Sequence, residues 1–431
     1  MSTTIIASYI LFGSCLIMLI FRMPISFTLG FSSLLTAWYL DLNMLTICQK
    51  MVSGMQSFPL LAIPFFILCG EIMGQGGISE QIINLAKALV GHWHGGVAEV
   101  NVLGSMLFGG ISGSPSADCA SLGPLEIKLM LDSGYDRDFA VALTIASSCQ
   151  ATLIPPSHNM VIYALVAGAG VSIGALLMAG LLPGLVLGFA MMIYVYIIAR
   201  RNNYPRGRKY SMKERVAVIR DGFFGLLTAV IIVVGVSGGI CTATESSAVA
   251  VVYSFFITFF VYKKIPLKKM WPILRNVLST LAMVLALMST AQIFSYLLAY
   301  LRIPAMITDV LLSFSSNKIV ILLLVDLMLL VLGCVMDMAP LIIICTPVLL
   351  PVVAKFGMSP IQFGVVMILN LSIGLCTPPV GSTLFIGCAI GKVSMSSATK
   401  ALLPLYGVMI LVLLLVTFIP QLSMWLPNLL Y

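Results

Sequence analysis

Apolar runs of membrane-spanning length recur along almost the whole chain and exclude most folds before any single residue is considered. They stand near 4–21, 25–40, 59–74, 139–160, 178–199, 222–239, 242–262, 278–300, 361–391 and 402–420. Crossing the hydrocarbon core takes roughly 17–25 residues of helix, and lipid offers backbone amides no partner, so each run is expected to be a spanning helix. A β-barrel would need alternating ten-residue segments, which the sequence lacks. The composition agrees: 60% of the residues are hydrophobic and 9% charged, and no water-soluble surface could be built from that mixture.

The stretch Met1 to Arg22 has no preceding positive charge and no small-residue cleavage site, so it reads as a retained first span rather than a leader. The ten cysteines form no CxxC pair and sit in apolar stretches, which points to buried thiols. The net charge of +8 is not a nucleic-acid footprint. Its basic residues collect between spans, in one group of Arg200, Arg201, Arg206, Arg208, Lys209, Lys213, Arg215 and Arg220 and another of Lys263, Lys264, Lys268, Lys269 and Arg275. Clusters beside helices mark cytoplasmic loops. With the N-terminus outside, only Lys50, Arg302, Lys318 and Lys355 of the 23 cations fall on the outer face, so both termini are expected to be periplasmic.

Two further apolar regions, near 102–131 and 318–354, are each broken by a polar, proline-containing stretch and read as re-entrant hairpins. Sliding the chain by 223 positions superposes the breakers: Gly110 on Gly333, Pro124 on Pro347, Pro155-Pro156 on Pro378-Pro379, Gly168 on Gly391. It also sets the linker Leu42–Ser57 opposite Ile265–Thr280. Five spans and a hairpin per half is an odd number, so the second half must sit upside down. The expected fold is an all-α polytopic membrane protein built as an inverted-topology repeat with two re-entrant hairpins and two broken helices. The first repeat occupies residues 1–200, a basic linker 201–221 and the second repeat 222–431. Such repeats belong to secondary transporters, which bind their cargo between the halves at mid-membrane.

The first hairpin tip reads Gly109-Gly110-Ile111-Ser112-Gly113-Ser114-Pro115-Ser116-Ala117-Asp118. Hydroxyls and a carboxylate at membrane depth cost several kcal/mol unless they line a polar cavity or find partners. Glycines admit a ligand to the backbone, freed carbonyls and serine hydroxyls suit a hard cation, and a half-helix N-terminus suits an anion. The competing reading is a tight crossing of small residues. Its partner is the broken helix at Leu153-Ile154-Pro155-Pro156-Ser157-His158-Asn159, where the prolines remove two donors and free carbonyls. The second half repeats the design with Gly333-Cys334-Val335-Met336-Asp337-Met338-Ala339-Pro340 and Cys376-Thr377-Pro378-Pro379-Val380-Gly381-Ser382-Thr383.

The residues assigned to a sodium ion are Ser112, Ser114, Pro155, Met336, Asp337, Thr377 and Pro378, and those assigned to substrate are Ser116, Asn159, Gly381 and Ser382. Asp337 is favoured because an intramembrane carboxylate needs a cavity or a partner. Asp326 and His158 are divided between functional and local hydrogen-bonding roles. Neither tip carries Lys or Arg, so an anion would be held by helix N-termini and hydroxyls, or by a charge brought from elsewhere. Thr242 or Thr244 reads as a helix N-cap with Glu245 in the first turn, a scaffold feature. Lys268-Lys269-Met270-Trp271-Pro272 reads as an interfacial basic arm with an aromatic anchor.

With these motifs in hand, the whole chain resembles the large membrane subunit of tripartite ATP-independent periplasmic (TRAP) transporters, the DctM-like family. The resemblance rests on Ile63-Pro64-Phe65-Phe66 with Gly70-Glu71-Ile72-Met73, the Ser112-Gly113-Ser114 tip, Ile154-Pro155-Pro156-Ser157, Thr242-Ala243-Thr244-Glu245 and Thr377-Pro378-Pro379-Val380-Gly381. It implies a symporter of the bacterial cytoplasmic membrane, moving by an elevator mechanism and driven by Na+ as the transported coupling ion. It further implies a small four-helix membrane subunit, expected as a separate chain, and a periplasmic binding protein that delivers a small organic anion. His158-Asn159 stand where the family more often has other small residues, a departure that bears on the substrate. A self-sufficient divalent-anion symporter shares this layout. An intramembrane enzyme is disfavoured by the absence of HExxH and of an aspartyl Gly-x-Gly-Asp motif, and a passive channel by the duplicated broken helices.

Overall fold

The computed structural model describes residues 3–431 apart from 22, 57, 169, 203, 205, 208, 209, 264, 265, 315 and 316, and leaves out the side chains of 58, 59, 221, 267, 308 and 311–314. Arg22 at the end of the first apolar stretch, Arg208, Lys209 and Lys264 of the basic segments, and Ser57 and Ile265 of the two linkers lie outside the described residues.

In chain order the helices are α1 (Thr3–Ile20), α2 (Ile25–Tyr39), α3 (Met44–Ser53), α4 (Ala62–Gln75), α5 (Ile78–Val90), α6 (Gly96–Ser112), α7 (Pro115–Asp132), α8 (Arg137–Ser148), α9 (His158–Ala167) and α10 (Ile173–Arg201). They continue as α11 (Met212–Ser237), α12 (Ala243–Phe256), α13 (Met270–Tyr300), α14 (Ile303–Phe314), α15 (Lys318–Gly333), α16 (Met338–Lys355), α17 (Pro360–Leu375), α18 (Ser382–Gly391), α19 (Met395–Phe418) and α20 (Pro420–Leu430). No strand occurs among the described residues. The chain is an all-helical polytopic membrane fold, with hairpins α6–α7 and α15–α16 and broken helices α8–α9 and α17–α18.

The 223-residue repeat is visible in the caps. Ser114 caps α7 and Asp337 caps α16; Asp136 caps α8 and Ser359 caps α17. Gly134 and Gly357, the matching turn glycines, both take positive φ, at 82° and 78°. Both double prolines, Pro155-Pro156 and Pro378-Pro379, are joined by a cis peptide bond. At the centre Cys149 Sγ donates to Ser372 O at 3.4 Å while Ser372 Oγ donates to Cys149 O at 3.2 Å. These two residues are each other's repeat mates, and a pair that exchanges equivalent bonds sits on the axis relating the halves, as self-complementary contacts do at any two-fold.

The broken helices form the core: Ala140–Ser148 of α8 and Gln362–Leu375 of α17 are buried residue after residue. The first helix of each hairpin is fastened to its broken helix by a polar cluster. Asn101 Nδ2 donates to Thr144 Oγ1 at 2.6 Å, and Ser147 Oγ donates to Asn101 Oδ1 at 2.8 Å. In the other half Asn370 Nδ2 donates to Asp326 O at 2.8 Å and Thr417 Oγ1 to Asp326 Oδ2 at 2.9 Å, which gives Asp326 a structural role. Buried polar groups satisfied in this way fix the register of the helices that carry them. Around the core, α1 packs on α2, α2 and α3 on α13, and α4 on α12.

The structure adds elements that hydropathy did not reveal. The run near 59–74 turns through 74° at Gly76-Gly77 into the amphipathic α5. The basic segment at Lys268–Pro272 is not a separate arm: it leads directly into the 31-residue α13, with Pro272 in the first turn, where its missing N–H costs nothing. Thr242, rather than Thr244, caps α12, and it forms a reciprocal capping box with Glu245. Eight of the cysteines are buried as expected, whereas Cys48 is exposed and Cys241 half-exposed.

Candidate functional site

Helix α6 ends at Gly113 with φ of 61°, a left-handed conformation open to glycine at little cost. A Cβ at Gly113 would run into the carbonyl oxygen of Pro156, and one at Gly110 would lie 3.4 Å from that of Pro155. The hairpin tip therefore rests on the two carbonyls released where α8 gives way to α9. Ser112 Oγ and Ser157 Oγ are buried there without a hydrogen-bond partner among the described residues. Orphaned hydroxyls beside freed carbonyls form a donor set of hard oxygens, the type that alkali and alkaline-earth cations take.

The second tip repeats the arrangement. Val380 N donates to Cys334 O at 3.0 Å, tying the unwound segment to the end of α15. Gly333 and Gly374 cross so closely that a Cβ on Gly374 would lie 2.6 Å from Gly333 Cα. At Gly381, with φ of 27°, a Cβ would stand 2.8 Å from Thr377 O and 3.0 Å from Leu375 O. Thr377 Oγ1 donates back to Ile373 O at 2.8 Å, while Tyr406 OH donates to Cys376 O at 2.6 Å.

Between the first tip and the scaffold lies a cavity of about 670 Å³. Its walls bring together the starts of three helices: Pro115, Ser116 and Ala117 of α7, His158 and Asn159 of α9, and the cap Asp337 with Met338 and Ala339 of α16. A fourth start adjoins them, since Ser116 Oγ stands 3.5 Å from Ser382 Oγ and 3.4 Å from Thr383 Oγ1 on α18. Helix N-termini present unpaired N–H groups and the positive end of the macrodipole, so their convergence favours an anion without any basic side chain. Among the described residues no Lys or Arg lines the cavity, and the carboxylates that do are Glu71 and Asp337.

Of the residues singled out from sequence, Ser112, Ser114, Ser116, Asn159 and Asp337 line this cavity. Pro155 lies behind the first tip, Met336 precedes Asp337, and Thr377, Pro378, Gly381 and Ser382 lie on the unwound side of α17–α18. Asp118 stands apart. The tip's polar groups are expected to line a cavity or find partners; Ser116, Ala117, Ala120 and Ser121 form the cavity face of α7, and the Asp118 carboxylate on the next face is fully enclosed inside the hairpin, so it does not line the cavity. Sequence reasoning missed Glu71 and Gln75, which line the cavity and are joined by a 3.1 Å bond from Gln75 Nε2 to Glu71 Oε2. The signal was present as an acidic residue in the middle of an apolar run. His158 lines the cavity as well.

Comparison with known proteins places this architecture. The family model described as tripartite ATP-independent periplasmic transporter, DctM component, matches residues 12–422. The sialic acid TRAP transporter large permease SiaM of Vibrio cholerae is 40% identical over 410 residues, spanning 94% of this chain and 95% of SiaM. The C4-dicarboxylate TRAP transporter large permease DctM of the same organism is 37% identical over 435 residues, spanning 96% of each. The YdaH transporter of Alcanivorax borkumensis shares the fold, with a TM-score of 0.61 at 16% identity over 87% of this chain and 88% of YdaH.

Proposed function

The chain belongs to the DctM components of tripartite ATP-independent periplasmic transporters, and from that premise we propose that it imports a small organic anion, a carboxylate or acidic sugar, together with sodium ions. The observation that carries the reading is the meeting of helix N-termini around a cavity whose described lining holds no Lys or Arg. Family membership makes the chain a secondary-transport subunit for organic anions in a multi-pass membrane setting. The solutes named for two relatives, sialic acid and a C4-dicarboxylate, are both carboxylates.

In this reading the anion lies near Ser116, Asn159, Gly381 and Ser382, where N–H groups and hydroxyls replace its hydration. Sodium is cargo rather than a resident group. It is held by Ser112, Ser114 and the Pro155 carbonyl on one side, and by Met336, Asp337, Thr377 and Pro378 on the other. Freed carbonyls and the unpartnered Ser112 hydroxyl suit it. The block of hairpins and broken helices moves as an elevator against a frame that includes α1, α2 and α13, carrying the site across the bacterial cytoplasmic membrane. A small four-helix membrane subunit braces that frame, and a periplasmic binding protein delivers the solute to the outer face, where both termini lie.

The test is reconstitution in liposomes with the small subunit encoded beside it, measuring radiolabelled organic-acid uptake under an inward sodium gradient, with and without the candidate binding protein. Uptake that requires both sodium and the binding protein is expected. Uptake without the binding protein would replace this reading with a self-sufficient symporter, and uptake indifferent to sodium would remove the coupling ion.

A further inference from the structure

Well away from the transport cavity, a second cleft of about 600 Å³ lies between α10, the α5–α6 turn and the start of the basic linker. One wall is a helical stripe of α10, Phe189, Met192, Ile193 and Tyr196, spaced i, i+3, i+4, i+7. Phe189 is 55% and Ile193 63% exposed, as befits side chains turned to lipid. The stripe grades from apolar to aromatic to cationic, because Arg200 continues it one turn on and lies over the Tyr196 ring at 5.0 Å. From Phe189 to Arg200 the helix rises about 16 Å at 1.5 Å per residue, close to one leaflet's half of a hydrocarbon core about 30 Å thick.

The head of the cleft is built from His92, Trp93, His94 and Arg206. Arg206 Nε stands 2.9 Å from His94 Nε2, the backbones of the two residues pair as an isolated bridge, and the His94 ring packs edge-on to Tyr196 with centroids 6.4 Å apart. A linker cation is thereby fixed at the rim. The floor includes Glu99, which is 0% exposed and whose two carboxylate oxygens have no hydrogen-bond partner among the described residues. Leaving a buried carboxylate without a partner is costly, and His92 Nδ1, on a residue of the same lining, is unpartnered too among the described residues, so the cleft has unmet polar groups besides the guanidinium groups at its rim.

We propose that this cleft seats an amine-bearing phospholipid of the phosphatidylethanolamine type. Its acyl chain lies along Phe189 and Ile193, its phosphate at Arg200 and Arg206, and its ammonium against Glu99. An anionic lipid would satisfy the arginines but leave Glu99 unmet, and a choline headgroup has no N–H to donate. The zwitterion alone matches the apolar stripe, the cations and the orphaned acid together. The lipid would clasp the linker to the α5–α6 turn.

The experiment is native mass spectrometry of the purified full chain, exchanged into equimolar phosphatidylethanolamine, phosphatidylglycerol and phosphatidylcholine. A photoactivatable phosphatidylethanolamine run in parallel locates crosslinks by peptide mapping. Wild type is expected to retain phosphatidylethanolamine about tenfold over phosphatidylcholine, the scale of one charge-assisted hydrogen bond, and to crosslink around Trp93. Glu99→Gln, a near-isosteric change, should keep a bound phospholipid but lose the preference for the amine. Phe189→Ala, at an exposed position, should lower retention of all three lipids while leaving the fold intact. Equal retention of the three lipids by wild type, or a preference unchanged in Glu99→Gln, would overturn the proposal, as would crosslinks that avoid the turn.

Discussion

The crossing of Gly333 with Gly374 makes the closest test of the second clamshell, and Gly374→Ala is the perturbation. The added Cβ would lie 2.6 Å from Cα and C of Gly333 and 2.9 Å from its oxygen. Carbon atoms settle about 3.5–4.0 Å apart, so α15 and α17 must separate by about 1 Å. Every atom opposed to the methyl is backbone, and no side-chain rotation relieves the clash. Overpacking of this kind costs about 1–3 kcal/mol. The bond from Val380 N to Cys334 O, 3.0 Å long, sits at the same crossing. A further ångström takes it out of hydrogen-bond range and adds about 1 kcal/mol. The sum, about 2–4 kcal/mol, is a factor of about 30 to 1000 in the population of the closed clamshell. The assay is sodium-driven uptake in liposomes, read beside thermal unfolding in detergent, with Gly407→Ala as the matched control. A Cβ at Gly407 meets nothing within 4 Å, and Ala in a helix interior there should stabilise by about 0.5–1 kcal/mol. If the two variants unfold at the same temperature and transport equally, the crossing does not hold the site together and the reasoning fails.

Further outcomes follow from the same geometry. Asp337→Asn should insert and fold, because Asn is as good an N-cap as Asp, yet lose sodium-dependent uptake; Asp337→Ala should also lose about 1 kcal/mol of stability with the bond to Met338 N, visible as a lower melting temperature than Asp337→Asn. Asn370→Leu removes the donor to Asp326 O, a carbonyl that its own helix still engages, so unfolding in detergent should become easier by the net worth of one hydrogen bond, about 0.5–1.5 kcal/mol. At the linker clasp, desolvation first, and then the charges of Arg206 and Arg200, hold the His94 imidazole below the ordinary His range. A base whose pKa is lowered by folding binds fewer protons folded than unfolded, so the clasp is fully supported above the ordinary His range and weakened as pH falls through it. Histidine-labelled NMR titration should place His94 below a free histidine, and Arg206→Ala should move it up.

The breakers were legible because they act locally. A double proline cannot stay inside a helix, and a glycine is the residue for a close backbone approach, so Pro155-Pro156, Pro378-Pro379, Gly110 and Gly333 announced the repeat through their spacing in the sequence. The hairpin tips and the Thr242 cap followed from the same local rules. What stayed hidden depends on facing. Asp118 and Ser116 are two residues apart on one helix, and only packing decides that Ser116 meets the cavity while Asp118 is sealed inside the hairpin. Helix α5 was missed because an amphipathic segment lying across the bundle has no apolar run to find. The exchange of bonds between Cys149 and Ser372 is a property of two halves docked together and leaves no trace in either.

With sodium placed at Asp337 as proposed, the charge pattern of the cavity implies an order of events. Glu71 and Asp337 are its carboxylates, and helix N-termini are its positive ends. A carboxylate substrate approaching with Asp337 ionised meets a like charge, and two unit charges about 7 Å apart at an effective dielectric of about 20 repel by about 2 kcal/mol. A sodium ion at Asp337 cancels that repulsion and adds an attraction of its own. The partial charges of helix ends, worth about 0.3–1 kcal/mol each and up to about 2 kcal/mol when partly buried, can hold an anion but do not distinguish the sodium-bound state from the empty one. Under the proposed assignment of sodium to Asp337, it is this carboxylate that makes the distinction and does the coupling. By linkage, sodium should tighten substrate binding by at least thirtyfold or so, and substrate should tighten sodium by the same factor. Isothermal titration of the purified full chain with a transported acid, in sodium buffer and in choline buffer at equal ionic strength, measures the factor directly. In Asp337→Asn the anion should bind without sodium nearly as well as wild type binds it with sodium. A wild-type affinity indifferent to sodium, or an Asp337→Asn variant that still needs sodium to bind the acid, would show that the coupling charge lies elsewhere.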